Sequence, residues 1–380
     1  METPRIAQLL LGIALVFATS LALQARQQPT PGAPAGPLPQ ERTAVDVYRA
    51  ACATCHGPDG KGSPRAVVGF EAALPDFTDC AFASGEPDPD WFAVVHEGGP
   101  VRALDRHMPA FGDALSPGDI SLAIAHIRTF CSDPSWPQGD LNLPRAFFTE
   151  KAFPENEAVW TMAMTGRRER SVESELIYEQ RLGARNQIEV VAPIALQENA
   201  SGEWSRGLGD VALAFKRTLH ASMRRGQISA AGIEVILPTG NESRGLGNGY
   251  TVFEPFAMWG QTLPQNSYVQ VHAGVELPSD SSKGVREAYA RSAIGTTLAG
   301  DRGFGRAWSP QFEVLWTRPE RGSSEWDVVP QIQVTLSKLQ HVMLAAGVRV
   351  PITQRDEQRT QALVYLLWDW FDGGFFEMWR

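Results

Sequence analysis

Five residues near the front of the 380-residue chain carry its clearest chemistry: Cys52-Ala53-Thr54-Cys55-His56. Two thiols separated by two residues, with an imidazole directly after, form the C-x-x-C-H pattern of covalent haem attachment. The spacing has a mechanical reason. Cysteines one helical turn apart reach the two vinyl-derived positions of a haem, and the next residue then sets its imidazole beside the iron as an axial ligand. A redox dithiol and half of a zinc site use the same atoms. The first leaves His56 without a role, and the second needs a further Cys or His pair that is not evident. The expectation is one covalently attached haem c, since no second C-x-x-C-H occurs. G-x-S-x-G, H-E-x-x-H and phosphate-cradling glycine loops are also missing.

The elements that must position these residues follow from composition. Residues 1–25 hold Arg5, the apolar run LLLGIALVFATSLAL and then small residues, the layout of a secretory signal peptide expected to be removed on export. The other reading of that run is a single membrane-spanning helix, for which it falls short of the ~20 apolar residues required. Residues 26–40, rich in proline, read as an extended spacer. All four cysteines precede position 132, and the two outside the haem motif, Cys80 and Cys131, are a possible disulfide in an exported chain. The net charge of -9 is concentrated in the front part, which holds roughly twice as many acids as bases and excludes nucleic acid and anionic lipid surfaces as partners.

Residues 41–133 read as a small all-α domain of short helices between Gly and Pro loops. Its best-defined helix starts at SPGD, with Ser116 as N-cap, Pro117 in the first turn and Asp119 completing a capping box. It runs to about Phe130, with Ile120, Ile124 and Ile127 on one face. Residues 134–156 form a connector.

Over roughly Arg42 to Cys131 this domain resembles the class I c-type cytochromes, through CATCHGPDGKG, HMPAFGDALS and DISLAIAHIRTF. The resemblance implies Met108 as the second axial ligand beside His56. A Met/His pair raises the reduction potential and fills both axial positions, which favours electron transfer over small-molecule chemistry. It also implies that Tyr48 and Ile127 pack where the first and last helices cross. Alternatives stay open: Met108 as plain core, and His107 or His96 as the sixth ligand. His126 is expected to be structural, and no metal is assigned to His220, His272 or His341.

From residue 157 to 380 the apolar period changes from 3.6 to 2. Ile188, Val190, Ala192, Ile194 and Leu196 fall on one side of a strand, as do Val269, Val271, Ala273, Val275 and Leu277. Polar rows oppose them, including Glu173, Glu175, Glu179 and Arg181, then Gln270, His272 and Glu276, then Gln331 and Gln333. Segments begin near Ala158, Val172, Gln187, Gly209, Gln227, Tyr250, Ser267, Glu287, Ser309, Glu325, His341 and Arg359, giving about twelve strands with alternately short and long connections. That is the pattern of an antiparallel outer-membrane β-barrel. Trp259, Trp308, Trp316, Trp326, Trp368, Trp370 and Trp379 stand near segment ends as an interfacial girdle would. A soluble sandwich has the same alternation with its faces reversed.

Through GLGDVALAFKRTL, GIEVILPTGNESRGLGNG and AAGVRVPI this region resembles the outer-membrane barrel family named after meta-pathway phenol degradation, which implies a channel for small apolar compounds. The expected function is a monohaem c-type cytochrome tethered to the outer membrane, passing single electrons between periplasmic redox proteins, and no enzyme. Two other assignments are a barrel channel for a small apolar molecule coupled to the cytochrome, and part of a transmembrane electron conduit. A haem peroxidase needs an open iron position.

Overall fold

The computed structural model describes residues 42–71, 74–166, 171–198, 204–299, 306–353 and 360–370. The expected signal peptide and spacer, and Trp379, lie outside them.

Among the described residues the front domain holds six short α-helices: α1 Ala44–Ala51, α2 Ala53–His56, α3 Arg65–Val68, α4 Cys80–Ala83, α5 Asp88–Glu97 and α6 Pro117–Arg128. Both α1 and α6 begin with capping boxes, Thr43 with Asp46 and Ser116 with Asp119, which satisfy backbone N–H groups that a first turn leaves unpaired. The starts of the two helices are tied by Arg42 Nη2, 2.7 Å from Asp119 Oδ2. They cross over a core of Val47, Tyr48, Ala123 and Ile127, so the expected Tyr48 and Ile127 packing is present. Cys80 and Cys131 are disulfide-bonded with Cα atoms 5.0 Å apart, stapling α4 to the segment after α6.

Among the described residues fourteen strand segments follow in one antiparallel sheet that closes on itself where β9 pairs β11. They are β1 Glu157–Thr165, β2 Ser171–Leu182, β3 Asn186–Glu198, β4 Trp204–Leu208, β5 Ala212–Ser222, β6 Gln227–Ile236, β7 Val252–Leu263, β8 Ser267–Pro278, β9 Glu287–Thr296, β10 Leu298–Ala299, β11 Ala307–Pro319, β12 Glu325–Thr335, β13 Val342–Pro351 and β14 Gln361–Asp369. Two staves of the barrel are interrupted. β4 and β5 both pair β3, around a break at Gly209–Val211, and β10 continues β9 alongside β11. Counting each interrupted stave once gives a closed barrel of twelve strands.

The faces decide what this barrel lives in. Ile188, Val190, Ile194 and Leu196 of β3 are exposed, as are Leu213 and Phe215 of β5 and Val275 and Leu277 of β8. Glu179, Gln187, Lys216, Gln270, Glu313 and Gln331 are buried inside. An apolar side chain left in water forfeits about 1.5–3 kcal/mol relative to burial. Such an outer wall is stable only against hydrocarbon, and the soluble-sandwich reading, polar face outward, is excluded. The chain is a transmembrane barrel of the outer-membrane type. Tryptophans mark both rims: Trp160, Trp259, Trp308 and Trp368 near the short-turn end, Trp204, Trp316 and Trp326 near the long-loop end.

The connector does more than span a gap. Between Gly139 and Asn156 the chain enters the barrel from the short-turn end, turns at mid-height and returns to start β1. Leu141, Ala152 and Phe153 pack against Ile228, Ala230, Phe256 and Met258 of the inner wall. At the apex Glu313, on β11, accepts backbone N–H bonds from Phe147, Phe148 and Thr149 at 3.1, 3.1 and 2.7 Å, and an amide bond from Gln331 at 2.6 Å. Arg145 lies between Glu157 and Glu179 at 2.7 and 2.5 Å, while its carbonyl accepts from Gln311 and from the Tyr365 hydroxyl. Lys216 and Thr218 donate to the carbonyls of Lys151 and Ala152. Strands from all round the wall thus satisfy the polar groups of a buried loop.

Candidate cofactor site

The residues singled out by spacing meet in one place. Cys52 ends α1, and α2 carries Cys55 and His56 one turn further on, so both thiols and the imidazole reach the same side. Gly57, at φ +75°, stops α2 in a conformation that side-chain-bearing residues rarely adopt, and its carbonyl accepts the Tyr48 hydroxyl at 2.7 Å. The Tyr48 bond anchors the motif to the helix crossing. Burial raises the Tyr48 phenol well above its ordinary value.

Cys52, Cys55, His56 and Met108 all line a single cavity of about 620 Å³, within the range of cofactor sites. Its walls are largely apolar, with Phe77, Phe82, Trp91 and Val95 prominent. Phe77 stacks on the His56 ring at 5.0 Å. Met108 arrives on a loop held close to the end of α5. The Gly99 N–H donates to the Met108 carbonyl at 3.0 Å, and a Cβ at Gly99 would collide with the Asp105 carbonyl and sit 3.2 Å from the Met108 Cβ. Only glycine admits that approach.

The donor set suits a c-type haem. Cys52 and Cys55 are free thiols, and the Cys52 thiol is pushed up to about 11 by burial and then by Cys55. Burial lowers the His56 pKa, which favours the neutral, donating imidazole, and its Nδ1 is buried without a hydrogen-bond partner. Among the described residues, no cluster of three or more His, Cys, Asp or Glu could hold a metal ion in place of a haem, and the zinc reading has no second half.

The other histidines separate by position. His107 lines the cavity, but its ring stacks on Phe70 at 4.4 Å and its Nδ1 is 2.7 Å from Asp105. His96 is engaged with Glu97 at 2.9 Å. His126 packs edge-on against Tyr48 and Phe130, as a structural residue would. His272 meets Tyr289 inside the barrel. One placement was not expected: His341, in the turn between β12 and β13, reaches the cavity together with Leu339. No sequence signal marks that approach, because it depends on how the front domain seats on the barrel rim.

Residues 39–127 match the family described as cytochrome C oxidase, cbb3-type, subunit III. This covers under a quarter of the chain and makes the front part a cytochrome c-type domain. No curated protein matches the chain. Among solved structures, it is similar to a COG4313 outer membrane channel from Pseudomonas putida F1, at 11% identity and TM-score 0.43, covering 60% of this chain and 100% of that one. It is also similar to the KdgM porin, at 7% identity and TM-score 0.40, covering 56% and 99%, and to the NanC porin, at 6% identity and TM-score 0.40, covering 56% and 98%. These likenesses are too loose to carry an argument, and the barrel's own two faces carry it instead.

Proposed function

We propose that this fusion of a cytochrome c-type domain with an outer-membrane barrel is a membrane-fixed, monohaem electron carrier, exchanging single electrons with redox proteins of the periplasm. The observation that carries the reading is the convergence of Cys52, Cys55, His56 and Met108 on one apolar cavity. Each thiol would add across a vinyl group, forming one S–C bond while the thiol hydrogen passes to the other vinyl carbon. His56 and Met108 would serve as axial donors. A c-type haem bound there supplies one-electron exchange between its ferric and ferrous states. The chain's part would be to hold the group through His56 and Met108, keep water off with Phe77, Phe82 and Trp91, and hold the Met108 loop in place through Gly99.

The barrel supports the location. The front domain joins at Glu157, on the short-turn end, and in bacterial barrels short turns face the periplasm. A hydrocarbon core about 30 Å thick is far larger than one haem, so a lone haem at that end cannot carry charge across it. The loop from Gly139 to Asn156 fills the lumen to mid-height, which speaks against a free passage for solutes.

The test is a haem-stained gel of separated outer and inner membranes. The stained band is expected at the full chain's size, in the outer-membrane fraction, resistant to denaturation. Stain lost on denaturation, or found with the inner membrane, overturns the reading.

A further inference from the structure

We propose that the haem site belongs to both halves of the molecule: the barrel's turn from Leu336 to His341 supplies its last wall, with Leu339 as apolar cover and His341 as positioning residue. The proposal rests on the cytochrome reading above. Leu339 and His341 line the same cavity as Cys52, Cys55, His56 and Met108. Leu339 is only 8% exposed, although its neighbour Lys338 is exposed. A leucine on a barrel-rim turn is buried only if something covers it, and what faces it here is the cytochrome cavity.

His341, 3% exposed, is held from both sides of the junction. Its Nδ1 pairs with Asp369, where β14 ends, and its Nε2 lies 3.3 Å from Glu86 Oε1, in the loop ahead of α5. Ser337 Oγ accepts the backbone N–H of His341 at 3.1 Å, fixing the turn beneath it. The Glu86 loop is clamped in turn by Arg128, whose Nη2 donates to the Glu86 carbonyl at 2.7 Å and whose Nε donates to Asp88 at 2.9 Å. The cavity also contains Arg102 and Asp90, paired at 2.7 Å. The imidazole therefore bridges a barrel carboxylate and a cytochrome carboxylate at the margin of the cofactor cavity.

This placement has a redox consequence. The ferric state carries one more positive charge than the ferrous, so walls that exclude water favour the ferrous state and raise the potential. Leu339 and His341 complete such a wall. The barrel is part of the redox centre as well as its anchor.

The experiment is a potentiometric titration of the visible bands of the haem-loaded full chain in detergent. Wild type is compared with Leu339→Ala, His341→Gln and, as an exposed control in the same turn, Lys338→Ala. The first two are expected to shift the reduced-to-oxidised ratio about tenfold towards the ferric state, a fall of about 59 mV for a one-electron couple. Lys338→Ala should match wild type. Limited proteolysis within residues 130–138 should also be faster in His341→Gln. Unchanged potentials and unchanged cleavage in both variants overturn the proposal. Should either variant fail to reach the membrane, Glu86→Gln breaks the contact from the cytochrome side with the barrel intact, and the same two readouts decide. A wild-type chain without a low-spin haem spectrum sinks the cytochrome reading itself, a separate outcome.

Discussion

Met108 is the side chain on which carrier and enzyme readings part. Its thioether shares the cavity with His56, and the Gly98–Gly99 backbone holds its loop close. If Met108 holds the iron as proposed, replacing it by alanine removes the soft donor that raises the potential. The Met108→Ala protein is expected to show a lower midpoint potential in a redox titration and to bind carbon monoxide when reduced, whereas wild type does not. Equal potentials in the two proteins would reduce Met108 to core packing. At this scale the sequence was legible wherever chemistry is local. Cys52, Cys55 and His56 stand within five residues, so their spacing alone announces them, and Ser116 and Asp119 announce a helix start in the same way. His341 was illegible, because its contact with Glu86 joins distant parts of the chain through a docking that no local pattern encodes.

The helices and strands answer to longer patterns. The strand starts read from period 2 fall within two residues of the observed ones at nearly every described stave, since one face of each strand meets lipid and a slip of one residue would turn it inward. The exception is the stave read from Gly209, which the structure splits into β4 and β5 around that glycine. The loop Gly139–Asn156 gave no warning. Its apolar residues follow neither helical nor strand period, because it is packed on every side by a wall of mixed chemistry. The disulfide was open on sequence grounds and is present. Closing a loop of sequence separation 51 removes about 4 kcal/mol of unfolded-chain entropy, with 2–4 kcal/mol typical in practice. The double variant Cys80→Ser, Cys131→Ser is therefore expected to lose its folded cytochrome spectrum at a markedly lower denaturant concentration, while strand content by circular dichroism persists.

For the whole molecule, the buried ions of the loop matter most. Arg145 pairs with Glu157 and Glu179 inside the barrel, with Lys151 sharing Glu157, and removing one partner of a buried pair costs about 3–5 kcal/mol. Wild type in planar bilayers is expected to conduct poorly. Arg145→Ala should lower the thermal stability of the detergent-solubilised chain and produce larger, noisier openings as the loop loosens. A large steady conductance in wild type would show that solutes pass the loop and would favour the channel assignment.

That loop enters and leaves the lumen by one end, and its exit becomes β1 without a residue of slack. The haem domain is thereby denied the roaming of a free cytochrome. On the proposed function it would work as a fixed station, with turnover set by how often mobile partners call at the rim.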